Sequence, residues 1–398
     1  VSSRCRAFRF QLCPTNKQTY TLERLLAGQR ELYNAAMEER RGAWRWNRRS
    51  VTKFEQYRTL SGLREVRPDT LAFGVTVCRG TLNRLDLAFR AFFRRVKAGQ
   101  TPGFPRFQAR HRFDSVSWPD RSGWKLDEVQ HRIYLQGVGQ VKYRKNLPLR
   151  GSPKTMTLRR EGRRWFVIVF CGDVPAQPRP ETGREIGIDL GVTALVATSE
   201  GDTFDNPRWF RHGADRLAVA QRALATKQKN SARRRRAVEG VARAHRKIRH
   251  QRRNHAHLLS RRLVDANDVI VHEDLRVTSL TRRPRPRPLE DGTHEPNGAS
   301  AKAGLNREIL SAGWGQLLRF ISYKAEEAGR TVIAVDPRHT SLTCHACGFV
   351  DAGNRTGTAF RCKRCGHTDH ADINAAKNIL RAGLARREHS RVANRVVA

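Results

Sequence analysis

Apolar residues at Val75, Cys78, Leu82, Leu85, Phe89, Phe92 and Val96 step by three and four without a break. That is the period of one face of an α-helix, and Gly99 ends it. The same spacing predicts a helix on Leu22, Leu25, Leu26, Tyr33, Ala36 and Met37, and another on Val51, Phe54, Tyr57 and Leu60 with Ser50 as its N-cap. Ahead of them Phe8, Phe10 and Leu12 alternate with Arg9 and Gln11, which predicts a strand over 5–13. From 115 to 171 the helical period is lost. Stretches such as R-I-Y-L, Q-V-K-Y, T-M-T-L-R-R and R-W-F-V-I-V-F predict short strands of a small β-barrel or sheet. P-A-Q-P-R-P-E-T-G at 175–183 reads as a linker.

A second pattern starts at Glu185. E-I-G-I-D-L-G-V-T-A-L-V-A-T predicts two strands, 186–191 and 192–198, with Asp189 interrupting an apolar run. A buried carboxylate without a partner is costly, so Asp189 calls for a metal or a neighbour. A helical region follows over 213–263, broken near Asn230 and Ser231. Its second half has a thin apolar stripe of Val238, Val241, Ala242, Ile248, Leu258, Leu259 and Leu263. N-D-V-I-V-H-E-D-L at 267–275 is a buried-type strand ending in Glu273 and Asp274, and open α/β sheets form sites at the carboxyl ends of strands. The Pro-rich segment 281–300 predicts a mobile loop. A helix with Leu310, Trp314, Leu317, Ile321, Ala325 and Ala328 on one face comes next and stops at Gly329, followed by the strand R-T-V-I-A-V-D. Finally Ala375, Ala376, Ile379 and Leu380 predict a helix with Asp372 at its head, a position that also suits an aspartate through the helix dipole alone.

Charge changes this picture. Lys and Arg number 77 against 37 Asp and Glu, a formal net charge of +40. Such an excess opposes compaction unless a polyanion neutralises it, and nucleic acid is the expected partner. Nothing approaches the ~18 consecutive apolar residues of a spanning helix, and the N-terminal stretch has no apolar run of signal-peptide type, so a cytoplasmic protein without membrane association is expected. The basic residues are patterned. Arg79, Arg84, Arg90, Arg94 and Arg95 occupy the other face of the 75–96 helix. P-G-F-P-R-F-Q-A-R-H-R-F at 102–113, which includes Arg106, interleaves aromatics with arginines, as suits stacking on bases; a hydrophobic docking loop is the alternative. Fourteen Lys or Arg and one acid, Glu239, lie between Lys227 and Arg262. Among them Arg233, Arg234, Arg235, Arg236, Arg246, Lys247, Arg249, Arg252 and Arg253 are candidates to lie along phosphates, against the plain alternative of a solvated face.

Two constellations carry chemistry. C-H-A-C-G and C-K-R-C-G supply Cys344, Cys347, Cys362 and Cys365, with fourteen residues between the inner pair. Two thiolates on each tight turn suit one tetrahedral Zn²⁺, against two disulfides or four unrelated thiols. Cys5, Cys13, Cys78 and Cys171 stand alone and are expected to be small buried hydrophobes of a reduced, intracellular protein. The second constellation is Asp189 in a first strand, Glu273 at the end of a later one and Asp372 at the head of the last helix. That order is the one expected of an RNase H-like fold. Hard oxygen ligands of this kind hold Mg²⁺, and two such ions serve phosphodiester hydrolysis.

I-G-I-D-L-G, V-H-E-D-L and C-H-A-C-G…C-K-R-C-G…H-A-D-I-N-A-A-K-N-I resemble the RuvC-like nuclease of the TnpB family, transposon-encoded RNA-guided nucleases, and of the compact type V CRISPR effectors related to them. L-D-L-A-F-R-A-F-F-R-R with P-G-F-P-R-F, the basic helical pair and V-D-P-R-H-T-S-L-T extend the resemblance over most of the chain. It implies a multi-domain α/β protein: a wedge strand at 1–17, a helical recognition domain at 18–114, a wedge β-barrel at 115–180, a RuvC-like nuclease at 181–343, a zinc ribbon inserted at 344–367, and the end of the nuclease with a tail at 368–398. It further implies Asp189, Glu273 and Asp372 as catalytic acids holding two Mg²⁺, the four ribbon cysteines as ligands of one structural Zn²⁺, a guide RNA, and double-stranded target DNA with a short flanking motif. In such a protein, guide–target pairing reads most of the sequence. The rivals are a structure-selective nuclease or transposase of the same fold without a guide, and a non-cutting RNA-guided DNA-binding regulator, a class that loss of the acids would mark.

Overall fold

The computed structural model of the chain describes residues 4–144, 147–290 and 292–396. The chain forms two compact units, Val1–Pro175 and Ala176–Ala398. In the first, β1 (Arg6–Cys13) alternates as its sequence does, with Phe8, Phe10 and Leu12 buried. Cys13 falls on the outward parity of the strand and Cys5 just before it is also exposed, whereas Cys78 and Cys171 are buried; the expectation of four buried thiols holds for two. A helical stretch follows: α1 (Asn16–Asn47), α2 (Lys53–Arg58), α3 (Leu63–Val66), α4 (Pro68–Leu71) and α5 (Val75–Lys97). The predicted face of α1 is buried at Leu22, Leu25, Leu26, Tyr33, Ala36 and Met37. α2 is capped by Thr52, which with Glu55 forms a reciprocal capping box, rather than by Ser50, and Phe54 stays exposed. On α5 the core face ends at Leu85; beyond it Phe89 and Phe92 pack on Phe104, and Val96 is exposed.

The chain then returns to β1. Strands β2 (Ser115–Trp118), β3 (Trp124–Asp127), β4 (Arg132–Leu135), β5 (Gly139–Arg144), β6 (Ser152–Glu161) and β7 (Arg164–Gly172) complete one antiparallel sheet in the order β2-β6-β7-β1-β5-β4-β3. β2 and β3 are its edges, with no ladder between them among the described residues. Trp118, Trp124 and Trp165 with Ile133, Leu135 and Val167 make its core, shared with α1 and α5.

The second unit is built on a five-stranded sheet of order β10-β9-β8-β11-β12. β8 (Glu185–Asp189) and β9 (Ala194–Thr198) form the predicted hairpin, shorter than expected because the turn takes up residues 190–193, and β10 (Thr203–Asp205) extends it. α6 (Trp209–Ala225) and α7 (Ala232–Ala266) follow, separated near Asn230 and Ser231 as predicted. On α7 only the C-terminal part joins the core, through Ala256, Leu259, Leu263 and Val264; Val238 and Leu258 of the predicted stripe are exposed. β11 (Val269–Glu273) pairs in parallel with β8 and with β12 (Thr331–Val335). Between β11 and β12 run α8 (Val277–Leu280), α9 (Ala299–Ala312) and α10 (Trp314–Ala328). The single helix expected around 310–328 is two, because Gly313 sits at φ 74° and serves as the C-cap of one and the N-cap of the next. Leu310 therefore lies on α9, exposed.

After β12 the chain makes a small three-stranded sheet, β13 (Arg355–Thr356), β14 (Ala359–Arg361) and β15 (Thr368–His370), then α11 (Ala371–Val396). One face of the five-stranded sheet, through Ile186, Ile188 and Ile270, packs on α7 and α10. The other face carries Val269 and Val271 against Ile379 and Leu380 of α11. No helix of the described residues is long and apolar enough to cross a membrane.

Candidate active site and metal centre

Strand parity brings the three acids together. Ile186 and Ile188 of β8 face α7 and α10, so Gly187 and Asp189 face α11; on β11, Val269, Val271 and Glu273 share that side. Ile188 pairs with His272, which makes Asp189 and Glu273 the next residues along two adjacent parallel strands, at their carboxyl ends. Asp372 lies in the first turn of α11, the helix covering the same face. Gly187 explains how the helix comes so close: a Cβ there would stand 2.1 Å from the Ala376 carbonyl oxygen. Trp314 Nε1 donates to the Gly191 carbonyl at 3.1 Å and Asn206 Nδ2 to that of Val192 at 2.8 Å, fixing the turn that follows Asp189.

The acids feel one another. Burial first, then the negative charges of Glu273 and Asp372, push the Asp189 carboxyl up to about 7. Burial also raises Glu273, opposed by the Thr340 hydroxyl that donates to its Oε1. Asp372 instead faces a cation, with Arg355 Nη2 from β13 at 2.8 Å from its Oδ1. The three carboxylates are thus neighbours that do not converge to ligating distance. Among the described residues the one group of three or more His, Cys, Asp or Glu donors within 4.8 Å of one another is that of the four cysteines. Asp274, beside Glu273, points to solvent while its N–H donates to the Val335 carbonyl.

That cysteine group is built by two similar turns. Gly348 N donates to the Cys344 carbonyl at 2.9 Å and Gly366 N to that of Cys362 at 3.0 Å, and both glycines have positive φ. The sulfurs of Cys344 and Cys365 lie 3.7 Å apart and those of Cys347 and Cys362 3.6 Å apart. Four thiolates about 2.3 Å from a tetrahedral zinc stand at about such separations, so the donor set and spacing fit Zn²⁺. No disulfide joins them. Asn374 and Asn378, one turn apart on α11, tie this ribbon to the acids: Asn374 accepts from His345 N and donates to the Thr343 carbonyl, and Asn378 donates to those of Thr340 and Thr343. Sequence reasoning missed Thr340, Arg355, Asn374 and Asn378. The i, i+4 pair of asparagines in an otherwise Ala/Ile helix face was the available signal for the last two.

The basic candidates divide. Arg84 donates to the Ser115 carbonyl at 2.9 Å and stacks on Phe113; Arg234 donates to the carbonyls of Leu224 and Lys227, clamping α7 to the end of α6; Arg252 donates to that of Leu310. Arg90 pairs with Asp86, Arg253 Nε lies 3.4 Å from His257 Nε2, and Arg79 lies over Tyr57. Arg94, Arg95, Arg106, Arg233, Arg235, Arg236, Lys247 and Arg249 are exposed, and Arg246 is partly so.

Residues 314–379 match the family described as "Cas12f1-like, TNB domain", and residues 168–283 the family described as "Probable transposase". Over 389 residues, 96% of this chain and 93% of the relative, the sequence is 31% identical to the Escherichia coli K12 protein named "Putative RNA-guided DNA endonuclease InsQ". The chain belongs to the TnpB/OrfB family. A Streptomyces pristinaespiralis member, also named "Putative RNA-guided DNA endonuclease", is 32% identical over 96% of this chain and 90% of its own. A solved complex of CasPhi-2 (Cas12j) with crRNA aligns over 96% of this chain and 98% of its own at 14% identity, with a TM-score of 0.47. In this TnpB/OrfB chain the TNB match covers the four cysteines, Arg355 and Asp372 together.

Proposed function

We propose that this TnpB/OrfB chain is an RNA-guided DNA endonuclease that hydrolyses phosphodiester bonds at Asp189, Glu273 and Asp372. The observation that carries the proposal is a carboxyl at the carboxyl end of a sheet raised to about 7, by burial first and then by the charges of two other acids beside it. The hairpin β8–β9, the parallel strand β11 and the terminal helix α11 fit the RNase H-like (RuvC) nuclease expected from the sequence.

A site with three carboxylates and one facing cation, Arg355, fits hard divalent cations, and Asp189, Glu273 and Asp372 would hold Mg²⁺, two ions on this reading. When bound, such ions supply an activated water and stabilise the leaving oxygen. The chain's own groups do the rest. Thr340 orients Glu273, and Arg355 balances the charge of Asp372. The four cysteines would hold a structural zinc, and the ribbon they close carries Arg355. Guide RNA and double-stranded target DNA with a short flanking motif are the partners, the exposed arginines of α5 and α7 lying along their phosphates.

The test strips bound RNA from the protein and adds back matched or scrambled guide with Mg²⁺. Cutting of double-stranded DNA should need the matched guide, and Asp189→Ala should abolish cutting while leaving nucleic-acid binding within a few-fold. Equal cutting with matched, scrambled and no RNA overturns the guided reading; robust cutting by Asp189→Ala overturns the site.

A further inference from the structure

Far along the chain from the acids, the first unit has a cavity of about 790 Å³ between the C-terminal ends of α1 and α5 and the loop around 50–54. That lies within the ~300–1,000 Å³ of sites that hold small organic groups. Its wall is aromatic: Trp44 is 56% exposed, Trp46 76%, Phe54 61%, Phe93 60% and Phe104 49%. Large rings left this open in one place are unusual for a surface with no ligand. They are also held in position. Phe104 packs edge-on against Phe89 and Phe92 at 5.7 and 5.2 Å, so the P-G-F-P-R-F loop docks onto α5 and still presents half of its ring.

Charge says what the rings are for. Arg40, Arg41, Arg45, Arg49, Arg90 and Lys53 line the cavity against two acids, Glu38 and Asp86. Asp86 is shared by Arg40 and Arg90, and Glu38 lies 3.7 Å from Arg41, so the wall stays net positive. Arg45 and Lys53 lie over the rings of Trp46 and Phe54. Arg40 is 8% exposed, bonds Gln56 through Nε and packs over the Phe89 ring. Arg40 is thus enclosed in the wall, and the guanidiniums that an occupant meets are those of Arg41, Arg45, Arg49 and Arg90. An apolar peptide offers backbone carbonyls but no counter-charge, and a second copy of this face is itself basic. An unpaired nucleotide supplies a π-face for the rings, ring-nitrogen or carbonyl acceptors at its edge and a phosphate for the rim.

We propose that this aromatic–arginine cavity is a binding site for an unpaired nucleobase of single-stranded nucleic acid. It rests on the reading that the protein handles nucleic acid and adds a site that stacks bases, separate in chemistry from contacts to duplex phosphates.

The experiment uses full-length protein freed of nucleic acid and two fluorescent ten-mers of equal charge, oligo-dT and its abasic counterpart. Oligo-dT should bind on the order of tenfold more tightly per base accommodated. Trp46→Ala with Phe93→Ala, both at open positions, should bring oligo-dT down to the abasic level with melting temperature and salt dependence unchanged. Trp46→Phe, which keeps a ring, should retain most of the preference. Equal binding of the two oligomers, or equal loss of both in the variant, overturns the proposal. So does a concentration-dependent dimer that the variant dissolves without change in oligo-dT binding. Failure here leaves guide-dependent cutting untouched, while loss of guide dependence leaves the difference between the two oligomers in place.

Discussion

At the scale of single residues, Asp189 has the most to lose from its own position. Its carboxyl ordinarily titrates near 3.8 and is raised to about 7, so the fold disfavours its charge. The sign follows. Below pH 3.8 both folded and unfolded chains hold the proton and nothing is lost. As pH rises from there toward 7, the unfolded chain ionises first and the native state loses ground, with the full penalty reached above 7. That penalty is at most on the order of 4 kcal/mol. Asp189→Asn should therefore melt at a higher temperature than the parent in metal-free buffer at pH 8, with the gap closing toward pH 4. Adding Mg²⁺ should raise the parent's melting temperature more than the variant's. A variant no more stable than the parent at pH 8 would show that the carboxylate is already compensated, with Arg355 as the group to examine.

At the scale of elements, most of what positions the acids was legible in the sequence. The alternation of E-I-G-I-D and V-I-V-H-E fixes strand faces, and counting by two puts Asp189 and Glu273 on one side. The hairpin, the break near Asn230 and the insertion of the ribbon between a strand and a helix were legible for the same reason: each has a local signal. What was not legible depended on partners distant in sequence. Val238 and Leu258 look like a stripe, but the core takes only the face of the last turns that carries Ala256, Leu259, Leu263 and Val264; Val238 lies ahead of those turns and Leu258 off that face. Gly313 reads as one weak point in a helix until its positive φ splits it. Arg84, Arg234 and Arg252 are indistinguishable in sequence from arginines that face solvent. The ribbon carries the prediction at this scale. Cys362→Ser should lower zinc to well below one ion per chain, measured by metal analysis. Because Arg355 and the Thr343 carbonyl that Asn374 and Asn378 hold both belong to the ribbon or its root, cutting should fall at least tenfold while the first unit's melting is unchanged.

At the scale of the whole molecule, the +40 charge governs association. With eight candidate cations on the surface of α5, α7 and the 102–113 loop, six to ten phosphate contacts are a reasonable load. Affinity for RNA should then drop by about 10³-fold or more between 50 and 200 mM salt. Filter binding across that range checks it, and a slope of only one or two charges would assign most of the arginines to internal duties. The same chain has to be made before it can bind anything, and here the place of β1 matters. β1 is made well before β5 and β7, yet it sits between them in its sheet, with Leu12 opposite Trp165 and Tyr143. At ~5–20 residues per second, β1 waits roughly 10 to 30 seconds for β7. Throughout that wait Phe8, Phe10 and Leu12 alternate along an unpaired strand, the pattern most prone to pair with the wrong chain. Arg4, Arg6 and Arg9 stand among and beside those apolar residues, and like charges at such positions oppose pairing between identical exposed strands.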